Sequence, residues 1–174
     1  GQYPEHLENY RTTGEGLSLF MRPVKITDES LLKDFFYDLS DTSIYRRFFI
    51  YLISMPHEKL QKFVVIDHTR EAVIMATVQD EGREVIVGMG QYIIDRLSLT
   101  AEVAFLVRDS YQNRGIGTEL LKYLTYLAQK QGILGFTAEV LPENTPMLHV
   151  FEENGFELTR KSLGGVMILK HNFS

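Results

Sequence analysis

Between the apolar run TAEVAFLV (100–107) and the helical run ELLKYLTYLAQKQG (119–132) lies the stretch Arg108-Asp-Ser-Tyr-Gln-Asn-Arg-Gly-Ile-Gly-Thr118. Two glycines and an arginine at such a junction supply the parts of an anion cradle. Glycine lets the backbone approach a ligand, and amides at a helix start face negative charge with the helix dipole behind them. Asn113 and Arg114 add donors, and the Arg114 guanidinium suits phosphate. A pyrophosphate matches this arrangement. A Walker A loop would need lysine after its last glycine, where Thr118 stands. A dinucleotide fingerprint would need a third glycine where Leu120 stands. For this segment taken alone, a plain strand-to-helix turn stays open.

Glu102 is the single charged residue inside TAEVAFLV. Burial among apolar neighbours would raise its pKa and suit it to act as a general base. The alternative is a side chain pointing to solvent across the strand's alternating pattern. His149 stands at helical metal-ligand spacing from Glu152 and Glu153, but one such pair is more often a solvated face, and no metal is expected. Arg46 and Arg47 could meet a phosphate or an acidic patch; a structural salt bridge is the expectation. Phe35, Phe36, Phe48 and Phe49 are expected in the core.

The elements that must position these residues follow from periodicity. GQYPEHLENYRTTGEG is polar and carries Pro4, Gly14 and Gly16, so residues 1–17 are expected to be a lead-in or linker of little core value. LSLFMRPV alternates as a strand. TDESLLKDFFYDLSD follows as a helix capped by Thr27 or Asp28, with Leu31, Leu32, Phe35, Phe36 and Leu39 on one face. SIYRRFFIYL and PHEKLQKFVVI read as shorter helices, the second opened by Pro56. AVIMATVQD and EVIVGMGQYIID form a hairpin turning at Gly82, with TAEVAFLV the third β run. After the loop, Ile116, Leu120, Leu121, Leu124, Leu127 and Ala128 make one helical stripe ending near Gly132. GFTAEVL is a strand, NTPMLHVFEENG a short helix, and FELTRKS with GVMILKH a closing strand pair. The order is that of one α/β domain, residues 18–174.

The chain has 174 residues, 44% hydrophobic and 24% charged, an ordinary globular composition. A net charge of −5 argues against sequence-independent nucleic-acid binding and favours cationic partners such as amines or lysine-rich surfaces. Without cysteine, disulfides, thiolate zinc sites and cysteine nucleophiles are excluded, which fits a reducing compartment. No apolar run reaches the roughly 18 residues of a membrane span and no signal peptide opens the chain, so a soluble, cytoplasmic protein without membrane partners is expected. Gly1 in place of Met points to an expression boundary or a piece of a longer protein.

The segment QNRGIGT, after a strand ending in AEVAFLV and opening a long helix, resembles the acyl-CoA pyrophosphate loop of the GNAT N-acetyltransferases. Gln112, Gly115 and Gly117 meet that family's Gln/Arg-x-x-Gly-x-Gly/Ala pattern. FTAEVLPENTPMLHVFEENGFEL is similar to the strand, asparagine-led helix and GF turn that close the family's fold, and FMRPVKITDESLLKDFF to its first strand and helix. The resemblance covers residues 18–171. It implies an α/β GNAT fold, a mixed but mostly antiparallel central sheet of about six to seven strands flanked by helices. YPEHL, RPVKITDE and FFYDLSDTSIYRRFF more narrowly resemble the acetyltransferase module of bacterial protein-lysine acetyltransferases, in which it is often tethered to an acyl-CoA-synthetase-like or nucleotide-sensing regulatory domain.

The resemblance implies acetyl-CoA as cosubstrate and a primary amine, above all a protein lysine side chain, as acceptor. A lysine of pKa about 10.4 is neutral only to about one part in a few thousand at pH 7, so a base is useful. In the resembled enzymes a glutamate at the place of Glu102 is that base, and the amine attacks directly. Main-chain groups at Leu106 and Val107 are implied contacts for the cofactor arm, with Gln112, Asn113, Arg114, Gly115, Ile116, Gly117 and Thr118 around the pyrophosphate. Asn144 resembles the family's cofactor-touching asparagine, a role compatible with an ordinary N-cap. Ser43 and Tyr45 fall where the family has substrate-facing loops. One departure is clear. Many members carry a tyrosine acid in the last helix where Phe151 stands, and a phenyl ring donates no proton; Tyr111 is a weak substitute. Two other functions remain in view: acetylation of a small-molecule amine, and a non-catalytic acyl-CoA-sensing module.

Overall fold

The computed structural model describes residues 3–39 and 70–173. Along the chain run β1 (Asn9–Thr12), β2 (Ser18–Pro23), α1 (Glu29–Tyr37), β3 (Glu71–Asp80), β4 (Arg83–Asp95), β5 (Thr100–Val107), α2 (Ile116–Lys130), β6 (Gly135–Val140), α3 (Thr145–Glu153), β7 (Glu157–Lys161) and β8 (Met167–Asn172). The strands form one sheet in the order β1-β2-β3-β4-β5-β6-β8-β7. Every neighbouring pair is antiparallel except β5 and β6. The β3–β4 hairpin turns through Glu81 and Gly82 at φ 51° and 78°, with Asp80 facing Arg83. Two successive left-handed residues match the strands' own twist.

Both faces of the sheet are covered. In β3, Ile74, Ala76 and Val78 join one core cluster while Val73 and Met75 join the other, as a period of two requires. The first cluster is built on α2, whose Ile116, Leu120 and Leu124 lie over β4. A Cβ on Gly88 would stand 2.9 Å from Cγ2 of Ile116, and one on Gly90 2.7 Å from Cδ1 of Leu124. The absent side chains set how closely the helix approaches.

On the opposite face, α1 buries Leu32, Phe35 and Phe36 beside Met75, Ile86, Met89 and Leu106. Each such side chain contributes about 1.5–3 kcal/mol by leaving water. Two buried arginines hold this helix at its ends. Arg22 donates to both carboxylate oxygens of Asp28 at 2.7 and 2.8 Å and to Glu84 at 3.1 and 3.2 Å. Arg108, directly after β5, donates to Asp38 at 2.8 Å, Asp34 at 3.1 Å and the Ile86 carbonyl at 3.0 Å.

Some expectations change. The opening segment is not inert: it supplies β1, which raises the sheet to eight strands among the described residues. Thr13 is buried, and Leu7 and Leu17 pack on the first cluster. Its polar sequence conceals this because an edge strand is held largely by backbone pairing, here from Asn9–Met21 to Thr12–Ser18. Asp28 does not cap α1 with its side chain, because the carboxylate is taken by Arg22 and the Lys25 amide. The helices expected over SIYRRFFIYL and PHEKLQKFVVI, with Arg46, Arg47, Phe48 and Phe49, lie outside the described residues.

Candidate active site

Strands β5 and β6 begin side by side and then part. Their parallel ladder joins Thr100, Ala101 and Glu102 to Gly135, Phe136 and Thr137, and goes no further although both strands continue. The end of β5, still paired with β4 but free of β6, becomes the floor of a cleft of about 340 Å³. Phe105, Leu106 and Val107 line it, the loop from Asp109 to Thr118 closes one side, and α3 closes the other with Asn144, Pro146, Met147, His149, Val150 and Glu153.

The loop is shaped by left-handed backbone at Asn113 (φ 61°) and Gly115 (φ 87°). Gly115 is the N-cap residue of α2, and no side chain caps that helix. The amides of Ile116, Gly117 and Thr118 have no acceptor within the helix, by the geometry of any helix start. They edge the cleft and carry the positive end of the helix dipole, an arrangement that favours negative charge at the mouth of the cleft. Gln112 braces the loop by donating to the Val107 carbonyl at 3.4 Å. On the facing wall, Oδ1 of Asn144 accepts from the Met147 amide at 3.4 Å, so Asn144 caps α3 and lines the cleft at once.

The expected contacts Leu106, Val107, Gln112, Asn113, Gly115, Ile116, Gly117, Thr118 and Asn144 thus gather around one cleft. Arg114 does not line it; its guanidinium lies over the Tyr111 ring, 4.9 Å from the centroid. Glu102 is not buried as expected, and it lies outside the cleft lining. Ala101, Val103 and Phe105 point into the α2 core. Glu102 shares the opposite face with Leu106 and sits between Ile93, which is 47% exposed, and half-buried Thr137. A run that looks evenly apolar therefore has one row whose Glu102 end reaches solvent. Ser43 and Tyr45 lie outside the described residues.

Phe151 is fully buried, its ring 4.9 Å from Phe105 and 4.7 Å from Phe156, and it does not itself line the cleft, whereas Phe105 does. Tyr111 does line the cleft. His149 and Glu153 pair at 2.8 Å on the α3 wall. Among the described residues no group of three or more acidic, histidine or cysteine side chains could hold a metal. Sequence reasoning missed Phe105 as a cleft residue, and it missed Thr13, whose Cβ would stand 3.2 Å from a Cβ on Gly115. The alternation of β5 could have indicated the first. Nothing local could have indicated the second.

A sheet split at a parallel strand pair, opening onto an uncapped helix behind a glycine loop, defines the GNAT class of acetyltransferase fold. Residues 31–156 match the model of the Acetyltransferase (GNAT) family, and the chain belongs to that family. It is 31% identical over 157 residues to Acetyltransferase Pat of Mycolicibacterium smegmatis, covering 89% of this chain and 45% of that protein. The chain thus spans about half the length of that curated relative. The crystal structure of the GNAT domain of S. lividans PAT superimposes with a TM-score of 0.83 at 30% identity, covering 99% of this chain and 100% of that one. A cAMP-binding acyltransferase from Mycobacterium smegmatis shares the fold, with a TM-score of 0.66 at 24% identity over 96% of this chain and 47% of its own.

Proposed function

We propose that this domain transfers an acetyl group from acetyl-CoA to the side-chain amine of protein lysines, by direct attack with Glu102 as general base. The observation that carries the proposal is the parting of β5 from β6 after Glu102, because it would let one strand connect the proposed base to the proposed pyrophosphate site. From Glu102 to Leu106 is four strand positions, about 13 Å. The pyrophosphate would take the amides of Ile116 to Thr118, and the donor's arm would run along the unpaired edge of β5 toward Glu102. There the carboxylate accepts a proton from the acceptor ammonium. The amine nitrogen bonds the carbonyl carbon, the carbon–sulfur bond breaks, the sulfur leaves as thiolate, and the nitrogen's surplus second proton passes to water or to the departed thiolate, leaving a neutral amide. Main-chain groups near Leu106 and Val107 are the proposed contacts for the arm and the developing oxyanion.

Protein lysine as acceptor is supported by similarity to an acetyltransferase named Pat and to the GNAT domain of a PAT. A net charge of −5 favours a cationic partner. A tethered regulatory domain is part of the proposal, since one relative of similar fold is cAMP-binding and this chain covers 47% of it. No helix among the described residues is long and apolar enough to cross a membrane. A cytoplasmic site of action is proposed on the absence of cysteine.

The deciding experiment compares kcat/KM for acetyl-CoA-dependent acetylation of lysine-bearing proteins and of free polyamines. Preference for a protein lysine supports the proposal. A small amine preferred by orders of magnitude would move the function to small-molecule acetylation, and binding without transfer to any amine would make the domain an acyl-CoA sensor.

A further inference from the structure

The segment before β2 runs alongside the first turns of α2, and the two are joined in matched steps. Thr13 packs against Gly115, Nε of Arg11 donates to Oε1 of Glu119 at 3.2 Å, and the Tyr123 hydroxyl donates to the Leu7 carbonyl at 2.6 Å. Two strand residues advance about 6.7 Å and four helical residues about 6.0 Å, so the pairs 13–115 and 11–119 stay in step. Thr13 is fixed in turn, its amide donating to the Leu17 carbonyl at 2.9 Å and its hydroxyl accepting from the Leu17 amide at 3.1 Å. The Arg11 guanidinium also lies over the Tyr123 ring, 5.7 Å from the centroid.

Glu119 occupies the first turn of α2, immediately after the amides that edge the cleft, and its side chain is only 14% exposed. A negative charge there complements the helix dipole in the empty protein but opposes an incoming pyrophosphate. Two cations face it. Lys122 stands 3.7 Å away and is 57% exposed, whereas Arg11 is nearer and 27% exposed, so water screens Arg11 less.

We propose that Arg11 is a positioning residue for the donor: paired with Glu119, it neutralises the acidic charge next to the pyrophosphate amides at the first turn of α2. The inference rests on the glycine loop being the acetyl-CoA site. It makes the apparent lead-in segment part of the cofactor machinery.

Calorimetry on the full chain tests it with two probes, acetyl-CoA and S-acetylpantetheine, which has the thioester arm but no phosphates. Arg11→Gln should weaken acetyl-CoA binding about threefold to tenfold at low ionic strength, with the loss shrinking in added salt. S-acetylpantetheine should bind both proteins alike. The double variant R11Q/E119Q should return to within about twofold of wild type. Glu119→Gln alone leaves Arg11 unopposed and should tighten acetyl-CoA binding about twofold to fivefold, an outcome that can be read even if R11Q folds poorly. Unchanged affinity in R11Q, no recovery in the double variant, no tightening in E119Q, or an equal loss with S-acetylpantetheine would each overturn the inference while leaving the cofactor site intact. A wild-type protein that does not bind acetyl-CoA would instead remove the site on which it rests.

Discussion

A Cβ atom on Gly117 would lie 2.9 Å from Cε2 of Phe105. The glycine of the anion loop and the aromatic ring on the cleft floor therefore occupy one another's space. The Phe105 ring cannot retreat easily, because the Phe151 ring lies 4.9 Å from its own and both belong to the same core cluster. The missing side chain at position 117 is thus demanded by packing, apart from any approach of the backbone to the proposed ligand.

Gly117→Glu should therefore fail twice, by displacing the Phe105 ring and by setting a carboxylate beside the amides of α2. Calorimetry should register a loss of acetyl-CoA affinity of about a hundredfold or more. Gly117→Ala keeps the charge unchanged and should cost less affinity while lowering stability by about 1–3 kcal/mol, the range for overpacking. Undiminished binding in the glutamate variant would refute the cofactor assignment.

Glu102→Gln should keep cofactor affinity and lose roughly 10²–10⁴-fold in kcat near neutral pH. The deficit should narrow as pH rises, because the acceptor amine then deprotonates without help. Parity with wild type at pH 7 would make Glu102 a surface residue of β5 and nothing more.

Phe151→Tyr would add a hydroxyl to a fully buried ring packed against Phe105 and Phe156. It should change kcat by less than about tenfold, or about 1.4 kcal/mol of barrier. A thiolate leaving group has a conjugate acid of pKa near 8.5 by analogy with cysteine, so it can depart unprotonated. The cost should fall on stability, about 1–3 kcal/mol if the hydroxyl finds no partner. Phe151→Ala should cost about 3–5 kcal/mol. A hundredfold gain in kcat with tyrosine would mean that proton donation limits the natural enzyme.

Glu84 gives the stability a pH dependence of known sign. Burial would raise its carboxyl, but hydrogen bonds from Arg22 and Thr77, with the charges of Arg22 and Lys25, outweigh burial and hold it below the usual 4.5. Its contribution is therefore complete above the unfolded-state value and is lost as pH falls through the lower folded value. Thermal unfolding of Glu84→Gln should show a deficit of about 1–2 kcal/mol at pH 7 that closes as pH falls from the unfolded-state value through the lower folded one. A deficit independent of pH would mean that the carboxylate charge is not the source. Arg22→Met should be worse, about 3–5 kcal/mol, because it leaves Asp28 buried without its cation.

The sequence by itself determined what depends on near neighbours. The stripe Ile116-Leu120-Leu124 specifies which face of α2 is buried, and Gly82 between two β runs specifies a hairpin. Gly115 and Gly117 between a β run and a helical run mark a glycine loop at a helix start, and Gln112 with them carries the resemblance to the family's pattern. All of these reflect bonds or torsions within a few residues. Tertiary structure alone decided whatever depends on residues far apart in the chain. That β5 and β6 part after Glu102, and so open a cleft, is a matter of strand pairing with no local code. Whether Glu102 is buried depends on what covers one row of β5, and its neighbours Ile93 and Thr137 leave it at the surface. Arg114 rests on Tyr111, and Arg108 looked like part of the loop but clamps α1 through Asp34 and Asp38. The opening segment read as a linker because its composition is polar, yet Arg11 and Thr13 meet α2 about a hundred residues later. Such contacts follow from the path of the backbone, which brings distant charges and surfaces together only once the sheet has formed.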